Sequence, residues 1–280
     1  MENRSGLLTV LVIWAVLLFG CKENKKQDNP LLDSEPVYST AEAPAPPPPP
    51  EIMENEDSEV QITPISHATA VLQWNDVTVY MDPVGGAEAF EGQEKPDLIL
   101  VTDIHGDHFS PETLEALDTE KAKIIVPQAV AEKMPDAFAP QIDVLDNGNS
   151  KERYGITVEA IPMYNLRDEA KQFHPRGRGN GYVLNLEDKR IYFSGDTEDI
   201  PEMRALKDID KAFICMNLPY TMTVESAADA VLDFKPKQVY PYHYRGKPDV
   251  SDVARFEKLV NEGDADIEVV RLDWYPNEEY

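Results

Sequence analysis

The chain is poor in positive charge, in cysteine and in long apolar runs, and each shortage excludes something. Its 280 residues hold 26 Lys and Arg against 52 Asp and Glu, a formal net charge of −26. A nucleic-acid binder needs a basic stripe to neutralise phosphates, so no nucleic-acid partner is expected. Electrostatic docking on an anionic lipid surface is disfavoured for the same reason. Two cysteines, Cys21 and Cys215, cannot make a disulfide framework. No apolar run reaches the roughly 20 residues of a comfortable membrane span. What is present is a hydrophobic content of 42%, enough for a core and too much for a wholly disordered chain.

Composition divides the chain into three parts. Residues 1–20 begin with a short polar stretch, continue as an apolar run over 7–19 broken only by Thr9, and end on Gly20. That is the pattern of a secretory signal peptide. The ending Leu18-Phe19-Gly20-Cys21 resembles a bacterial lipobox, in which the cysteine is acylated and becomes the new N-terminus. Acylated Cys21 would tie the protein to a lipid membrane, since stable anchoring takes more than one chain and lipobox processing supplies several. Lys22 stands where an inner-membrane retention signal has aspartate, which favours the outer membrane of a bacterial cell envelope. Residues 21–58 are acidic and proline-rich, with Pro44 and a proline run over 46–50. Such a segment cannot bury a core and is expected as an extended, disordered linker. Residues 59–280 are expected to form the folded domain.

From residue 60 the texture changes to short β-rich runs. Strands are expected at 60–65, 68–74, 77–81, 98–101 and 124–126, then at 156–161, 182–186, 191–193, 211–216 and 238–242. Helices are expected at 111–117, 200–206, 224–234 and 249–262, the first opened by Ser110 as N-cap and by Pro111. A β-meander and β/α units, followed by a second β-rich stretch and further β/α units, make an α/β chain of two comparable halves.

Only five histidines occur, His67, His105, His108, His174 and His243, each near the end of an expected strand or in the loop before one. Strand ends in α/β folds converge on a crevice, so imidazoles collected there suggest a shared site. The densest cluster is Asp103-Ile104-His105-Gly106-Asp107-His108, directly after the apolar run 98–101. A turn through Gly106 can aim these four ligands at two positions roughly 3.5–4 Å apart, the separation of two-metal hydrolytic sites. A surface turn with two chance histidines is the competing reading, and a buried strand leading straight into the cluster argues against it.

This segment resembles the His-x-His-x-Asp-His signature of the metallo-β-lactamase superfamily, with Asp103 where the first histidine is usual. Further pieces follow in the family's order. Ser66-His67-Ala68 is similar to the opening Gly-His-Ala strand, and Met81-Asp82-Pro83 to the Asp-Pro strand. Ser194-Gly195-Asp196-Thr197 resembles the strand ending in Gly-Asp-Thr, and Pro241-Tyr242-His243 the last strand. Within the superfamily, Met163-Tyr164-Asn165, His174-Pro175-Arg176-Gly177 and Pro219-Tyr220-Thr221 resemble one branch of metal-dependent hydrolases. That branch is related to the L-ascorbate-6-phosphate lactonases and to N-acyl-phosphatidylethanolamine phospholipase D.

The resemblance implies an αββα sandwich with a metal site at one edge of its two sheets. It implies His105 on a first metal, Asp107, His108 and His243 on a second, and Asp196 on both. It implies a small-molecule substrate, an ester, lactone, amide or phosphodiester, attacked by a metal-bound hydroxide, with Asp107 and Asp196 at the centre of catalysis. Imidazole and carboxylate ligands suit Zn²⁺, as one or two ions, and further carboxylates shift preference toward Mn²⁺ or Fe²⁺. Asp103 as a ligand makes the first site harder and more anionic. Asn165 stands where that site's third histidine would, and His174, further along the same loop, is chemically the better ligand. These departures leave one alternative open, a non-catalytic envelope lipoprotein that kept the fold and binds a metal or another ligand.

Other residues carry weaker signals. His67 is a candidate for contacting substrate, with a capped structural histidine as the alternative. Asn165 is a candidate for the same role. Arg176 and Arg178, cations in an acidic domain, are candidates for holding an anionic group such as a phosphate, or else a solvated pair. Glu198 and Asp199 are expected to face solvent or cap the helix near Ile200. Cys215, inside an apolar run, is expected in the core.

Overall fold

In the central runs apolar residues neighbour other apolar residues, so these strands must be covered on both faces. The computed structural model, which describes residues 59–276, meets that demand with two sheets face to face and helices outside each. The leader 1–20, Cys21 and the proline-rich linker to residue 58 lie outside the described residues.

The first sheet runs β1 (Gln61–Ser66), β2 (Thr69–Trp74), β3 (Val77–Met81), β4 (Leu98–Leu100), β5 (Lys123–Val126), β6 (Ile142–Val144), in that spatial order. Its first three strands are antiparallel hairpins and the rest are parallel. Both hairpins turn on two residues, His67-Ala68 and Asn75-Asp76. His67 and Asn75 take φ of 57° and 51°, the positive sign that such tight turns require. The second sheet runs β7 (Ser150–Arg153), β8 (Ile156–Met163), β9 (Gly179–Leu186), β10 (Lys189–Phe193), β11 (Lys211–Cys215), β12 (Gln238–Tyr242), β13 (Glu268–Val269). It repeats the plan, antiparallel from β7 to β10 and parallel from β10 to β13.

Among the described residues five α-helices close the sandwich: α1 (Pro111–Ala116), α2 (Gln128–Ala131), α3 (Pro201–Arg204), α4 (Val224–Phe234) and α5 (Val253–Gly263). Alternation within β4 shows the layering. Leu98 and Leu100 join the large core with Val158 and Leu184 of the second sheet. Ile99 and the following Val101 join a separate cluster with Leu114 of α1 and Val130 of α2. On the far side, α4 and α5 pack through Ala227, Val231, Phe234, Phe256 and Val260, with the Phe234 ring edge-on to Tyr192 at 6.2 Å. Each of the larger side chains buried this way, the valines and phenylalanines, stabilises the fold by on the order of 2 kcal/mol. The architecture is the expected αββα sandwich.

Helix 224–234 and strands 77–81 and 238–242 keep the bounds read from sequence. The helix placed at 249–262 starts later, at Val253, because the Asp252 carboxylate caps it by accepting from the Arg255 N–H at 2.9 Å. Before that cap the chain makes a loop closed by an Arg245–Val250 bridge. Strands β6, β7 and β13 and helix α2 are additions; they are short, and β7 is Ser-Lys-Glu-Arg, with no apolar period to read.

Candidate metal centre

Ligand-bearing strand ends meet at one edge of the sandwich. Asp82 follows β3, residues 102–109 follow β4, residues 194–198 follow β10, and His243 follows β12. Each of these strands runs parallel to a neighbour, so the C-terminal ends align. The two sheets are tied to each other beside these ends. The Asn180 N–H donates to the Thr102 carbonyl and the Tyr182 hydroxyl to the Val101 carbonyl, both at 2.9 Å. Gly195 takes φ of 59°, and a Cβ there would lie 2.5 Å from the Met163 sulfur, so only glycine lets the chain turn Asp196 inward.

His108 is aimed by a carboxylate behind it. Asp82 Oδ1 accepts from the Thr102 N–H at 2.7 Å, and Oδ2 accepts from the Thr102 hydroxyl at 2.7 Å and lies 2.8 Å from His108 Nδ1. A carboxylate can only accept here, which assigns the proton to Nδ1 and turns the Nε2 lone pair into the site. Both side chains are fully buried.

Around that Nε2 the polar atoms crowd. His108 Nε2 is 3.1 Å from His243 Nε2 and 3.5 Å from Asp196 Oδ2. His174 Nε2 lies 3.1 Å from Asp196 Oδ2, and His243 Nε2 lies 3.2 Å from Asp196 Oδ1. Asp107 Oδ2 is 3.4 Å from Nε2 of both His243 and His67. Despite this proximity, His174 Nε2 and Asp196 Oδ1 are buried without a hydrogen-bond partner. Orphaned polar atoms in a dry space are costly, and one divalent cation would satisfy what a single shared proton cannot. Asp107, His108, Asp196 and His243 offer ligand atoms within 4.8 Å of one another, two imidazoles and two carboxylates, a donor set suited to Zn²⁺.

Electrostatics point the same way. Burial by itself would raise the Asp196 carboxyl, but His243, His108 and His174 outweigh it and hold the group well below the usual carboxylate range. Burial would lower His108, yet Asp196 and Asp82 push it well above its ordinary value. Asp107 is likewise held low against its burial, by His243 and His67. The pocket favours positive charge at the point where these groups meet.

Asp103, His105 and His174 make a second group, also within 4.8 Å. Here the carboxylate is already engaged. Asp103 Oδ1 accepts from Arg178 Nε at 3.0 Å and Oδ2 from Arg178 Nη2 at 2.8 Å, while His105 Nδ1 lies 2.9 Å from Oδ2. Arg178 also donates to the Phe173 carbonyl. Asn165 lends this group no ligand atom: its Nδ2 donates to the Ala170 and Tyr220 carbonyls and lies 3.1 Å from His174 Nδ1, and its N–H donates to the His174 carbonyl, so it steadies His174 and the loop that carries it. His174 Nδ1, 3.2 Å from the Tyr220 carbonyl, leaves Nε2 for the site.

The other singled-out residues fall as follows. His67, His105, Asp107, His174 and Asp196 line a cavity of about 440 Å³, together with Phe173, Asn217, Tyr220 and residues 245–247. His67 Nδ1 is 2.9 Å from the Tyr275 hydroxyl, a partner with no signal in sequence. Arg176 is not on the cavity lining; it pairs with Glu202 at 2.6 Å and lies 4.8 Å over the Tyr164 ring. Glu198 corrects an expectation. It is buried and accepts from Arg167 Nε at 2.6 Å and from the Leu166 and Arg167 N–H groups, clamping the loop after β8. Asp199 pairs with Arg204 instead. Cys215 is fully buried, as expected. Asp82 was legible as part of a motif but not as the orienting carboxylate, although the strand-end logic applied to the histidines fits it equally.

Comparison with known proteins agrees with this geometry. The Beta-lactamase superfamily domain matches residues 61–243, more than half of the chain. A UPF0173 metal-dependent hydrolase of Pyrococcus abyssi is 30% identical over 213 residues, covering 72% of this chain and 93% of the relative. A crystal structure of a candidate metal-dependent hydrolase from Parabacteroides distasonis superposes with a TM-score of 0.68 at 36% identity, covering 76% of this chain and 92% of that one. The metallo hydrolase Igni18 of Ignicoccus hospitalis shares the fold, with a TM-score of 0.63 at 22% identity over 76% of this chain and 94% of its own. The chain belongs to the metallo-β-lactamase superfamily and, within it, to the UPF0173 metal-dependent hydrolase family.

Proposed function

We propose that the protein hydrolyses a small-molecule ester, lactone, amide or phosphodiester using a single Zn²⁺ held by Asp107, His108, Asp196 and His243. The observation that carries this reading is the convergence of His108 and His243 Nε2 on Asp196, with Asp107 beside them and the buried Asp196 Oδ1 left unpartnered. One ion is favoured over two because Arg178 already balances Asp103, so the Asp103–His105–His174 group has its cation built in. When bound, a divalent cation lowers the pKa of its water toward neutrality and polarises the bond to be cleaved. The protein's own groups then divide the remaining work. Asp82 holds His108 in the ligating tautomer. Asp107, the most exposed carboxylate of the set, lines the cavity and can accept a proton at Oδ2, with His67 Nε2 3.4 Å away to steady it.

Elemental analysis of protein purified without chelator, followed by 4-nitrophenyl acetate, a γ-lactone and bis(4-nitrophenyl) phosphate as test substrates, examines the reading. One equivalent of zinc and chelator-sensitive hydrolysis of at least one substrate are expected. Protein that holds no metal, and whose melting temperature ignores added Zn²⁺ and Mn²⁺, overturns it.

We further propose attachment to the outer membrane through acylated Cys21, supported by the apolar run that ends in Gly20-Cys21 and by Lys22. Cys21→Ser should move the protein from the membrane fraction to the soluble one, and soluble wild-type protein cleaved beyond residue 21 would count against the anchor.

A further inference from the structure

Away from the candidate ligands, the wall of the cavity carries charge of one sign. Its acids, Asp107 and Asp196, both belong to the ligand group; its remaining charged residues are Arg245 and Lys247. This is unusual in a chain with a formal net charge of −26. Lys247 is exposed, its ammonium 5.8 Å from the Tyr220 ring centroid, and it forms no ion pair among the described residues. Arg245 is half-buried with its guanidinium 5.0 Å from the Tyr275 ring, on the tyrosine that also contacts His67.

The backbone presenting both cations is pinned to the loop after β11. The Lys247 N–H donates to the Leu218 carbonyl at 2.7 Å, and the Gly246 N–H to the Asp249 carbonyl at 3.1 Å. A Cβ on Gly246 would come within 1.9 Å of the Leu218 carbonyl oxygen, so that approach admits only glycine. The two arginines that sequence alone favoured for an anion are committed elsewhere, Arg178 to Asp103 and Arg176 to Glu202. On the same lining, Phe173 and Tyr220 meet edge to face at 5.1 Å and offer an apolar flank.

We propose that Lys247, presented on the cavity wall, forms an anion subsite, and that the substrate is a small organic anion whose carboxylate or phosphate group sits beside the bond to be cleaved. The cavity's volume suits a ligand of that size, and an exposed ammonium at its wall, in a chain of net negative charge, would draw such a ligand inward. The subsite stands on the cavity lining; that its occupant is a substrate rests on the hydrolytic reading above.

Two measurements on the metal-loaded full chain test it. Titration with inorganic phosphate and, separately, glutarate should show salt-sensitive binding that Lys247→Glu weakens by about tenfold or more and Lys247→Arg retains. Whichever anion binds more tightly identifies the group the subsite prefers. Hydrolysis of mono-4-nitrophenyl glutarate and of neutral 4-nitrophenyl butyrate gives a ratio of kcat/KM, which should fall by about tenfold in Lys247→Glu. Phosphate and glutarate binding that is indifferent to Lys247→Glu would place the anion on the metal alone and overturn the proposal. So would a kcat/KM ratio that stays within about twofold. Hydrolysis of neither ester, combined with Lys247-dependent anion binding, would keep the subsite and overturn the hydrolytic reading instead.

Discussion

Asp103 and Arg178 form a two-point ion pair, Nε to Oδ1 at 3.0 Å and Nη2 to Oδ2 at 2.8 Å, with His105 Nδ1 on the same carboxylate at 2.9 Å. Asp103 is fully buried, so its charge must be balanced in place. A guanidinium does this where the superfamily signature would put an imidazole and a metal. Removing it by Arg178→Gln leaves a buried carboxylate unpaired, which should cost about 3–5 kcal/mol in the presence of chelator. Added zinc should recover part of the melting temperature by entering the Asp103–His105–His174 group, and the stoichiometry should rise from one to two equivalents. A variant that melts like wild type with chelator and binds the same single equivalent would remove the balancing role from Arg178.

Asp82 acts one step further back. Asp82→Asn can keep the Thr102 N–H bond through its carbonyl oxygen, but its amide would then face the proton on His108 Nδ1. The ring must shift its proton to Nε2 or turn, and either change spoils the ligand. Metal affinity should fall by about 10–100-fold, read by competition with a chromophoric chelator. Unchanged affinity in a folded variant would show that His108 needs no orienting partner.

The sheets were legible because their strands announce themselves locally. The run 98–101 is apolar on both faces, and the structure buries both, Leu98 and Leu100 on one core, Ile99 and Val101 on the other. Edge strands β6 and β7 are half-exposed, and their pairing depends on partners rather than on their own pattern. The start of α5 was misplaced because Asp249, Ser251 and Asp252 all read as helix-opening residues, and only Asp252 caps. In the site, histidines at strand ends pointed to a shared crevice. The role of Arg178 was hidden because its partner lies 75 positions away, and a charge pair across that distance leaves no periodicity. Glu198 reads from sequence as a solvent-facing or helix-capping residue for a related reason. Its burial is made tolerable by Arg167 and two N–H groups that no local pattern connects to it.

Asp196 and Asp199 provide an internal comparison, since they lie in one loop and differ in task. Asp196 is buried among three imidazoles, whereas Asp199 pairs with Arg204 at the surface. Asp196→Asn exchanges an anionic ligand for a weak neutral one and should lower metal content and abolish hydrolysis. Asp199→Asn should change stability by about 1 kcal/mol or less and leave metal content intact. Equal and mild effects of the two substitutions on zinc stoichiometry would deny Asp196 a place among the ligands.

Asp143 ties the two sheets together at their open edge. It lies in β6, and both of its oxygens accept from Arg153 of β7 at 2.7 Å, with Lys151 of the same strand 3.2 Å from Oδ1. Partial burial alone would raise its carboxyl, but Arg153 and Lys151 outweigh that and hold it below the ordinary range. A carboxyl with a lower pKa in the folded state than in the unfolded one contributes stability above the unfolded value, near 3.9, and loses it as pH falls through the folded value. Asp143→Asn removes the contribution at every pH where it exists. The gap in melting temperature between wild type and variant should therefore be constant from about pH 5 to 8 and close progressively below about pH 4. A two-point Arg pair near the surface is worth about 1 kcal/mol, so the plateau should be a few degrees. High salt should narrow it, since the pair is only partly shielded from solvent. Thermal melts of both proteins from pH 3 to 8 read this directly. A gap that widens toward pH 3, or one that is absent at pH 7, would mean that the Asp143 charge does not join the two sheets.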